Sequence, residues 1–164
     1  MNEQATQILR ILDEASVPYD VARHPAAYTM EDCKIPEREL SCIVPKNLVL
    51  TPRNKSAYFL CLLPPDKPFR TADISKQIPS SRLSFADGDD LSRLLNTFAG
   101  AASPLGLLFD EARTVRLLME ESLLRLPRLG FHPNDNEYTV AMETETFLTR
   151  FLPLTGRVPQ MISI

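Results

Sequence analysis

Two apolar runs, residues 47–51 and 57–63, flank Pro52, Arg53, Asn54 and Lys55, and this arrangement limits the fold more than any other feature of the chain. Pro and Asn are turn formers, so the pair predicts a β-hairpin. Neither run alternates apolar with polar residues. Strands of that kind have no side to give to solvent, so their sheet must be covered on both faces. A chain of 164 residues that is 44 % hydrophobic can bury one such core, which predicts a single domain over residues 1–154 with a loosely attached tail, 155–164.

The remaining elements follow from periodicity. Ala5, Ile8, Leu9, Leu12 and Ala15 recur at helical spacing over 4–15, and Pro18 ends the stripe. Residues 19–23 read as a strand with Tyr19, Val21 and Arg23 on one side, closed by His24-Pro25. Thr29 reads as the N-cap of a helix entered at Met30, Glu31 and Asp32. Beyond the hairpin come a brief helix (73–77), a short strand (82–85) and a clear helix (87–96) with Leu91, Leu94, Leu95 and Phe98 on one face. Strands are expected at 107–110 and 114–119 around the Glu111-Ala112-Arg113 turn, a second hairpin at 128–131 and 138–142, and a closing helix at 143–152 with Phe147, Leu148, Phe151 and Leu152 inward. Short strands joined largely by hairpins predict a mixed α/β, α+β-like domain with a mixed, largely antiparallel central sheet surrounded by helices.

Composition narrows the function classes. A net charge of −3 argues against gripping a long stretch of nucleic acid through many phosphates, and the absence of Trp with only 4 Tyr argues against an extended stacking platform. Any RNA contact should be small and local. Cys33, Cys42 and Cys61 have no CxxC spacing, and with His24 and His132 they form no familiar metal pattern, so they read as reduced packing residues and no metal or cofactor is expected. No run of about 18 uncharged apolar residues occurs and the first ten residues lack signal-peptide order, which predicts a cytoplasmic protein.

Three places could carry chemistry. Lys46 precedes an apolar strand, where an ammonium projects at a strand end; Asn47 beside it can donate and accept. A solvated lysine and a strand-entry asparagine are the plainer readings. The loop Gly100-Ala101-Ala102-Ser103-Pro104-Leu105-Gly106 has small side chains up to Pro104, so its backbone N–H groups can approach a ligand and stabilise an oxyanion. Most Gly-rich loops are turns, however, and neither GxxxxGK[ST] nor GxGxxG is present. Ser103 lacks a GxSxG elbow and is followed by Pro, so it does not read as a nucleophile. His132 sits between Phe131 and Pro133 at a strand end, with Asn134 and a polar turn after it, whereas His24 reads as a strand terminator that at best lines the same side.

Four motifs in order, Lys46-Asn47-Leu48, Ser84-Phe85-Ala86 before a Leu-rich helix, the Gly100-x-x-Ser-Pro-x-Gly-Leu loop and Gly130-Phe131-His132-Pro133-Asn134, give the chain its resemblance to a known family. It resembles the YbaK/prolyl-tRNA synthetase associated domain family, within it the free-standing ProX type, from about Gln4 to Leu152. The resemblance implies the family's editing-domain fold and an aminoacyl-tRNA deacylase acting in trans. Its family substrate is alanine wrongly esterified to tRNA(Pro), which a synthetic site that admits proline cannot exclude by size. It further implies that Lys46 holds the phosphate or ribose of the terminal adenosine with help from Asn47, and that Gly100, Ala101, Ala102, Ser103, Pro104 and Gly106 surround the ester. His132, with Pro133 and Asn134 beside it, orients the aminoacyl group. A water assisted by the ribose hydroxyl attacks, without a protein nucleophile, metal or cofactor. The implied partners are the acceptor end of tRNA(Pro) and, transiently, prolyl-tRNA synthetase, with neither membrane nor DNA. The stretch 29–45, with Cys33, Pro36, Cys42 and Pro45, departs from the family pattern. That leaves a same-family deacylase for Cys, Ser or Thr as an alternative, beside a non-catalytic binder of aminoacyl ends or synthetase, and an unrelated soluble α/β domain.

Overall fold

The hairpin is where the apolar runs place it, and the rest of the chain closes around it. In a computed structural model describing residues 1–164, β2 (Lys46–Pro52) pairs antiparallel with β3 (Tyr58–Leu63) in a register that sets Lys46 opposite Leu63 and Leu50 opposite Phe59. Every residue of β3 is buried. Its side chains alternate between two cores: Tyr58, Leu60 and Leu62 enter the larger cluster, and Phe59, Cys61 and Leu63 the smaller one on the opposite face. Each such fully buried Leu or Phe contributes about 1.5–3 kcal/mol relative to an exposed one.

The sheet around this hairpin runs β4 (Leu83–Phe85), β2, β3, β5 (Val115–Glu120), β8 (Gln160–Ile162). β4 and β3 lie antiparallel to β2, but β5 is parallel to β3 and β8 parallel to β5. Parallel neighbours need a crossover. The chain supplies it between β3 and β5 through α3 (Thr71–Ser75), β4, α4 (Gly88–Leu95) and a 3-10 helix at Pro104–Phe109. A second sheet of three antiparallel strands, β1 (Asp20–Arg23), β7 (Tyr138–Glu143) and β6 (Arg128–Phe131), packs against the larger core. The mixed, mostly antiparallel α/β character is as anticipated, divided between two sheets.

One short link joins them. Ile43 bridges Leu129: its N–H donates to the Arg128 carbonyl at 3.2 Å, and its own carbonyl accepts from the Gly130 N–H at 2.8 Å. The chain entering β2 is thereby fastened beside the end of β6, which brings Lys46 toward His132. Gly130 is required at this crossing, since a Cβ there would lie 2.7 Å from the Cys42 Sγ.

Helix α1 (Glu3–Glu14) buries Ala5, Ile8 and Leu12. Asn2 caps it by accepting from the Ala5 N–H, and also donates through its amide to the Asn134 carbonyl at 2.8 Å. α4 begins with a capping box between Asp87 and Asp90. Asp90 is buried, and burial alone would raise its pKa; contacts with Lys55, the Tyr58 hydroxyl and Arg93 overcome this and hold it at about 2.

Several expectations are corrected. Residues 107–110 are not a strand, because Ser103 caps and Pro104 starts a 3-10 helix there. Phe98 lies beyond the left-handed Asn96 that ends α4, and is 45 % exposed. In β1 the inward residue is Ala22, with Val21 outside. Thr29 accepts from the Asp32 N–H at 3.2 Å, but only a turn follows, and α2 proper is Lys34–Leu40. The closing helix extends over 144–155: its middle, Phe147–Phe151, is π-helical before Pro153, which cannot donate to a regular ladder. Leu148 is only half-buried.

The tail is not loose. Arg157 is buried and ion-paired with Asp110, and its guanidinium also donates to the carbonyls of Val115, Leu107, Thr155 and Asp110. Residues 160–162 then add the edge strand β8, and Ile162 fills the smaller core.

Candidate active site

Lys46 opens β2 at the mouth of a cavity of about 360 Å³. Its ammonium donates to the Lys67 carbonyl at 2.9 Å and lies 5.6 Å from the centre of the Phe69 ring. One of its three donors is therefore committed, and two remain for a ligand. Lys67 in turn pairs with the buried Glu120, so the loop that seats Lys46 is itself anchored. Asn47 donates from Nδ2 to the Pro45 carbonyl at 3.0 Å. Because that carbonyl can only accept, the amide orientation is set, and the Oδ1 is shielded without a partner.

Gly100 and Ala102 form a second wall. Gly100 has φ +94, a conformation L side chains rarely adopt. The Ala101 N–H is spent on the Phe98 carbonyl at 3.1 Å, closing the turn. The N–H groups of Gly100 and Ala102 make no hydrogen bond within the protein, which leaves two backbone donors beside the cavity.

His132 supplies the third wall. Its Nδ1 lies 2.9 Å from the Tyr138 carbonyl, so Nδ1 carries the proton and Nε2 is a bare acceptor, 3.9 Å from the Cys33 Sγ. Burial pushes its pKa below the ordinary 6.5, as does the charge that His24 can carry; the Tyr138 hydrogen bond and Asp135 oppose the shift without cancelling it. The ring is neutral at pH 7.

The fourth wall is formed by Ala27 and Tyr28 together with Thr29, Met30, Cys33, Val44 and Pro45 from the stretch 29–45 that departs from the family pattern. Burial first, then Glu37 and Asp32, push the Cys33 thiol up to about 11, so it is a protonated, apolar wall residue.

Of the residues singled out in the sequence, Lys46, Asn47, Gly100, Ala102 and His132 meet at this one cavity. Ala101, Ser103, Pro104, Gly106, Pro133 and Asn134 do not line it; they are buried in the layer that holds it. Ser103 donates from Oγ to the His132 carbonyl at 2.6 Å and accepts from the Leu105 N–H, tying the Gly loop to the histidine segment. Asn134, at φ +57, donates to the carbonyls of Leu95 and Asn96 and so caps the end of α4. Gly106 lets α4 approach, since a Cβ there would meet the Leu95 carbonyl oxygen and the Asn134 Oδ1 at 3.1 Å. His24 follows the end of β1, as a strand terminator should, and does not line the cavity; its ring lies 5.7 Å from that of His132 and its Nε2 is 2.8 Å from the Thr139 Oγ1. Only the register of β1 on β7, which sets Ala22 against Thr139, brings it there, and no local signal encodes that pairing.

Comparison with known proteins places the chain in a family. The family model for the aminoacyl-tRNA editing domain matches residues 24–149, from His24 past His132. The chain belongs to the aminoacyl-tRNA editing domain family. Among relatives, it is 30 % identical over 138 residues to the prolyl-tRNA editing protein ProX of Acetoanaerobium sticklandii, covering 84 % of each chain. It is also 30 % identical over 148 residues to the prolyl-tRNA synthetase associated domain-containing protein 1 of Bos taurus, covering 88 % of this chain and 85 % of that one. A solved structure proposed to be a trans-editing enzyme for prolyl tRNA synthetase shares the fold, with a TM-score of 0.74 at 15 % identity over 99 % of this chain and 97 % of that one. This editing domain has no helix long and apolar enough to cross a membrane.

Proposed function

We propose that the protein is a trans-acting aminoacyl-tRNA deacylase that hydrolyses the ester of mischarged tRNA, with Ala-tRNA(Pro) as its substrate. The observation that carries this reading is the convergence of Lys46, Asn47, the free N–H groups of Gly100 and Ala102, and the bare Nε2 of His132 on one cavity. Membership of the editing family and the similarity to ProX support it.

The two spare donors of Lys46 bind the phosphate or ribose of the terminal adenosine, and Asn47 donates its second Nδ2 hydrogen to a ribose hydroxyl. The aminoacyl group enters between His132 and the wall formed by Ala27, Cys33 and Val44. There Nε2 accepts a hydrogen bond from its α-ammonium. A water adds to the ester carbonyl while the Gly100 and Ala102 N–H groups stabilise the oxyanion, a contribution of about 3 kcal/mol for one well-placed donor. The C–O bond to the ribose then breaks, the ribose oxygen takes the proton lost by the water, and free alanine and tRNA leave. His132 stays neutral throughout.

Small apolar walls support alanine over proline, because the pyrrolidine ring needs the space that Cys33 and Val44 occupy. A net charge of −3 supports contact confined to the acceptor end, with a transient synthetase complex raising the local concentration. One observation favours a second substrate: a bare Nε2 beside the Cys33 thiol can accept from the hydroxyl of serine in place of the α-ammonium.

The test is hydrolysis of Ala-, Pro-, Ser-, Cys- and Thr-tRNA by the purified chain, with and without prolyl-tRNA synthetase. Loss of alanine from tRNA(Pro) with proline retained is the expected result. Protection of every ester from spontaneous hydrolysis would identify a binding module instead, and equal rates on an acceptor-stem analogue without synthetase would remove the need for a partner.

A further inference from the structure

Behind His132 lies a line of buried polar groups that the proposed reaction does not use. His24 Nδ1 is 2.8 Å from the Pro25 carbonyl, His24 Nε2 is 2.8 Å from the Thr139 Oγ1, and that oxygen is 3.3 Å from His132 Nδ1. Thr139 is fully buried and both imidazoles are nearly so. Carbonyl oxygens only accept, and with both rings neutral this sets the protons in the line. His24 must donate from Nδ1 to Pro25, which leaves its Nε2 bare. The Thr139 hydroxyl proton therefore goes to His24, and the threonine oxygen presents lone pairs to the His132 Nδ1–H, which also faces the Tyr138 carbonyl at 2.9 Å.

The Thr139 proton has one other place to go. If it turned to His132 Nδ1, that nitrogen would have to be bare, the Tyr138 carbonyl would lose its donor, and the ring proton would move to Nε2, inside the cavity. A bare Nε2 on His24, closer by 0.5 Å, removes this competitor.

We propose that His24 and Thr139 are positioning residues that act with the Tyr138 carbonyl to hold His132 in its Nδ1–H form, so that Nε2 meets the aminoacyl group as an acceptor. Their effect on rate rests on the deacylase reading, whereas the tautomer does not. The ionisable groups around the His132 ring are His24, Asp135 and the Cys33 thiol; the thiol lies 3.9 Å from Nε2, and its S–H has the Thr29 carbonyl at 3.5 Å as a nearer acceptor.

Ring-nitrogen NMR shifts and single-turnover deacylation of Ala-tRNA(Pro), read together, test the proposal. In the wild type, His132 should show a protonated Nδ1 and a bare Nε2. In His24→Phe, which keeps a ring but removes the acceptor, the Nε2–H form should appear and the chemical step should slow on the order of tenfold with KM within about twofold. Adding Thr139→Val to His24→Phe removes the misdirected proton and should restore both the Nδ1–H form and the rate. A structural role for His24 predicts no such rescue, since the double variant is more perturbed than the single one. An Nε2–H form in the wild type, an unchanged tautomer in His24→Phe, or failure of the second substitution to restore it would each overturn the proposal. Should His24→Phe not fold, Thr139→Val alone must still show the Nδ1–H form, and an Nε2–H form there or in the wild type refutes it. If no ester is hydrolysed, the deacylase reading fails while the ring shifts still decide the tautomer.

Discussion

Lys46→Met isolates the charge that the proposed mechanism assigns to the adenosine end. Methionine keeps the stem in its place near Phe69 and removes only the ammonium. Within the protein the loss is one hydrogen bond to the Lys67 carbonyl, at a half-exposed position where water can replace it, so the stability change should stay within about 1 kcal/mol. Toward substrate the loss is larger. Two uncommitted N–H donors make charge-assisted hydrogen bonds, worth about 1.5–3 kcal/mol when one such contact is removed, which corresponds to about 10- to 150-fold in kcat/KM. The proposed contact is to the phosphate or the ribose of the terminal adenosine, and the phosphate contact carries a second signature: the variant's dependence on log salt concentration should be shallower by about one unit. The assay is deacylation at limiting substrate over a range of salt, with thermal unfolding as the control for the fold. A variant with an unchanged melting profile and activity within about threefold of wild type would refute the role given to Lys46.

Four further perturbations reach other parts of the argument. Arg157→Met leaves Asp110 buried without its cation, which should cost about 3–5 kcal/mol and lower Tm by roughly 6–20 °C; a change under about 1 kcal/mol in thermal or urea unfolding would mean that the tail is not anchored there. Gly130→Ala drives a Cβ to within 2.7 Å of the Cys42 Sγ and should destabilise by about 1–3 kcal/mol, while Cys42→Ala in the same chain should recover part of the loss; purely additive effects would place the clash elsewhere. His132 has a folded pKa below 6.5, so the unfolded chain takes up its proton first, and this group's share of stability is complete above about pH 6.5 and is lost as pH falls toward the folded value. An NMR titration midpoint at or above 6.5 for His132 would contradict that sign. The last perturbation concerns the wall at Cys33 and depends on how the site is assembled.

The legible part of the fold was its buried hairpin, because two unbroken apolar runs leave no solvent face and the turn residues between them are chemically distinct. Helices α1 and α4 were equally plain, since a cap and a three-to-four spacing are local signals. What could not be read was set by distant partners. Residues 107–110 are as apolar as a strand, yet Ser103 and Pro104 start a 3-10 helix whose end meets Arg157 nearly fifty positions away. The tail reads as loose because the residue that fastens it, Arg157, is of a type usually solvated. In the site, Lys46, Gly100 and His132 could be named because they stand at strand ends and turns. His24 could be read only as a strand terminator, as its contact with Thr139 depends on a neighbour on β7. Ser103 and Asn134 were recognised as important, but their bonds serve the loops behind the cavity.

Three walls of the cavity are fastened from behind: Lys46 by the Lys67 loop, Gly100 and Ala102 by the Ser103 bond to the His132 segment, and His132 by Tyr138 and Thr139. These are the groups that any aminoacyl ester on a terminal adenosine would need. The fourth wall, from Ala27 to Pro45, is apolar apart from the hydroxyls of Tyr28 and Thr29, and its Cys33 is a neutral thiol next to Nε2. Reaction and selectivity should therefore be separable at Cys33. Cys33→Ala removes one sulfur from the wall, a volume close to that of a methylene group, and one such group in an apolar pocket is worth about 1–3 kcal/mol of discrimination. Alanine should still be released within a few-fold of the wild-type rate, while the preference for alanine over proline should fall at least about tenfold as the pyrrolidine ring gains room. Competing deacylation of Ala-tRNA(Pro) and Pro-tRNA(Pro) measures that ratio directly. If Cys33→Ala instead abolished hydrolysis of both esters and left their ratio unchanged, Cys33 would belong with the reactive groups, and the division between three chemical walls and one selective wall would be wrong.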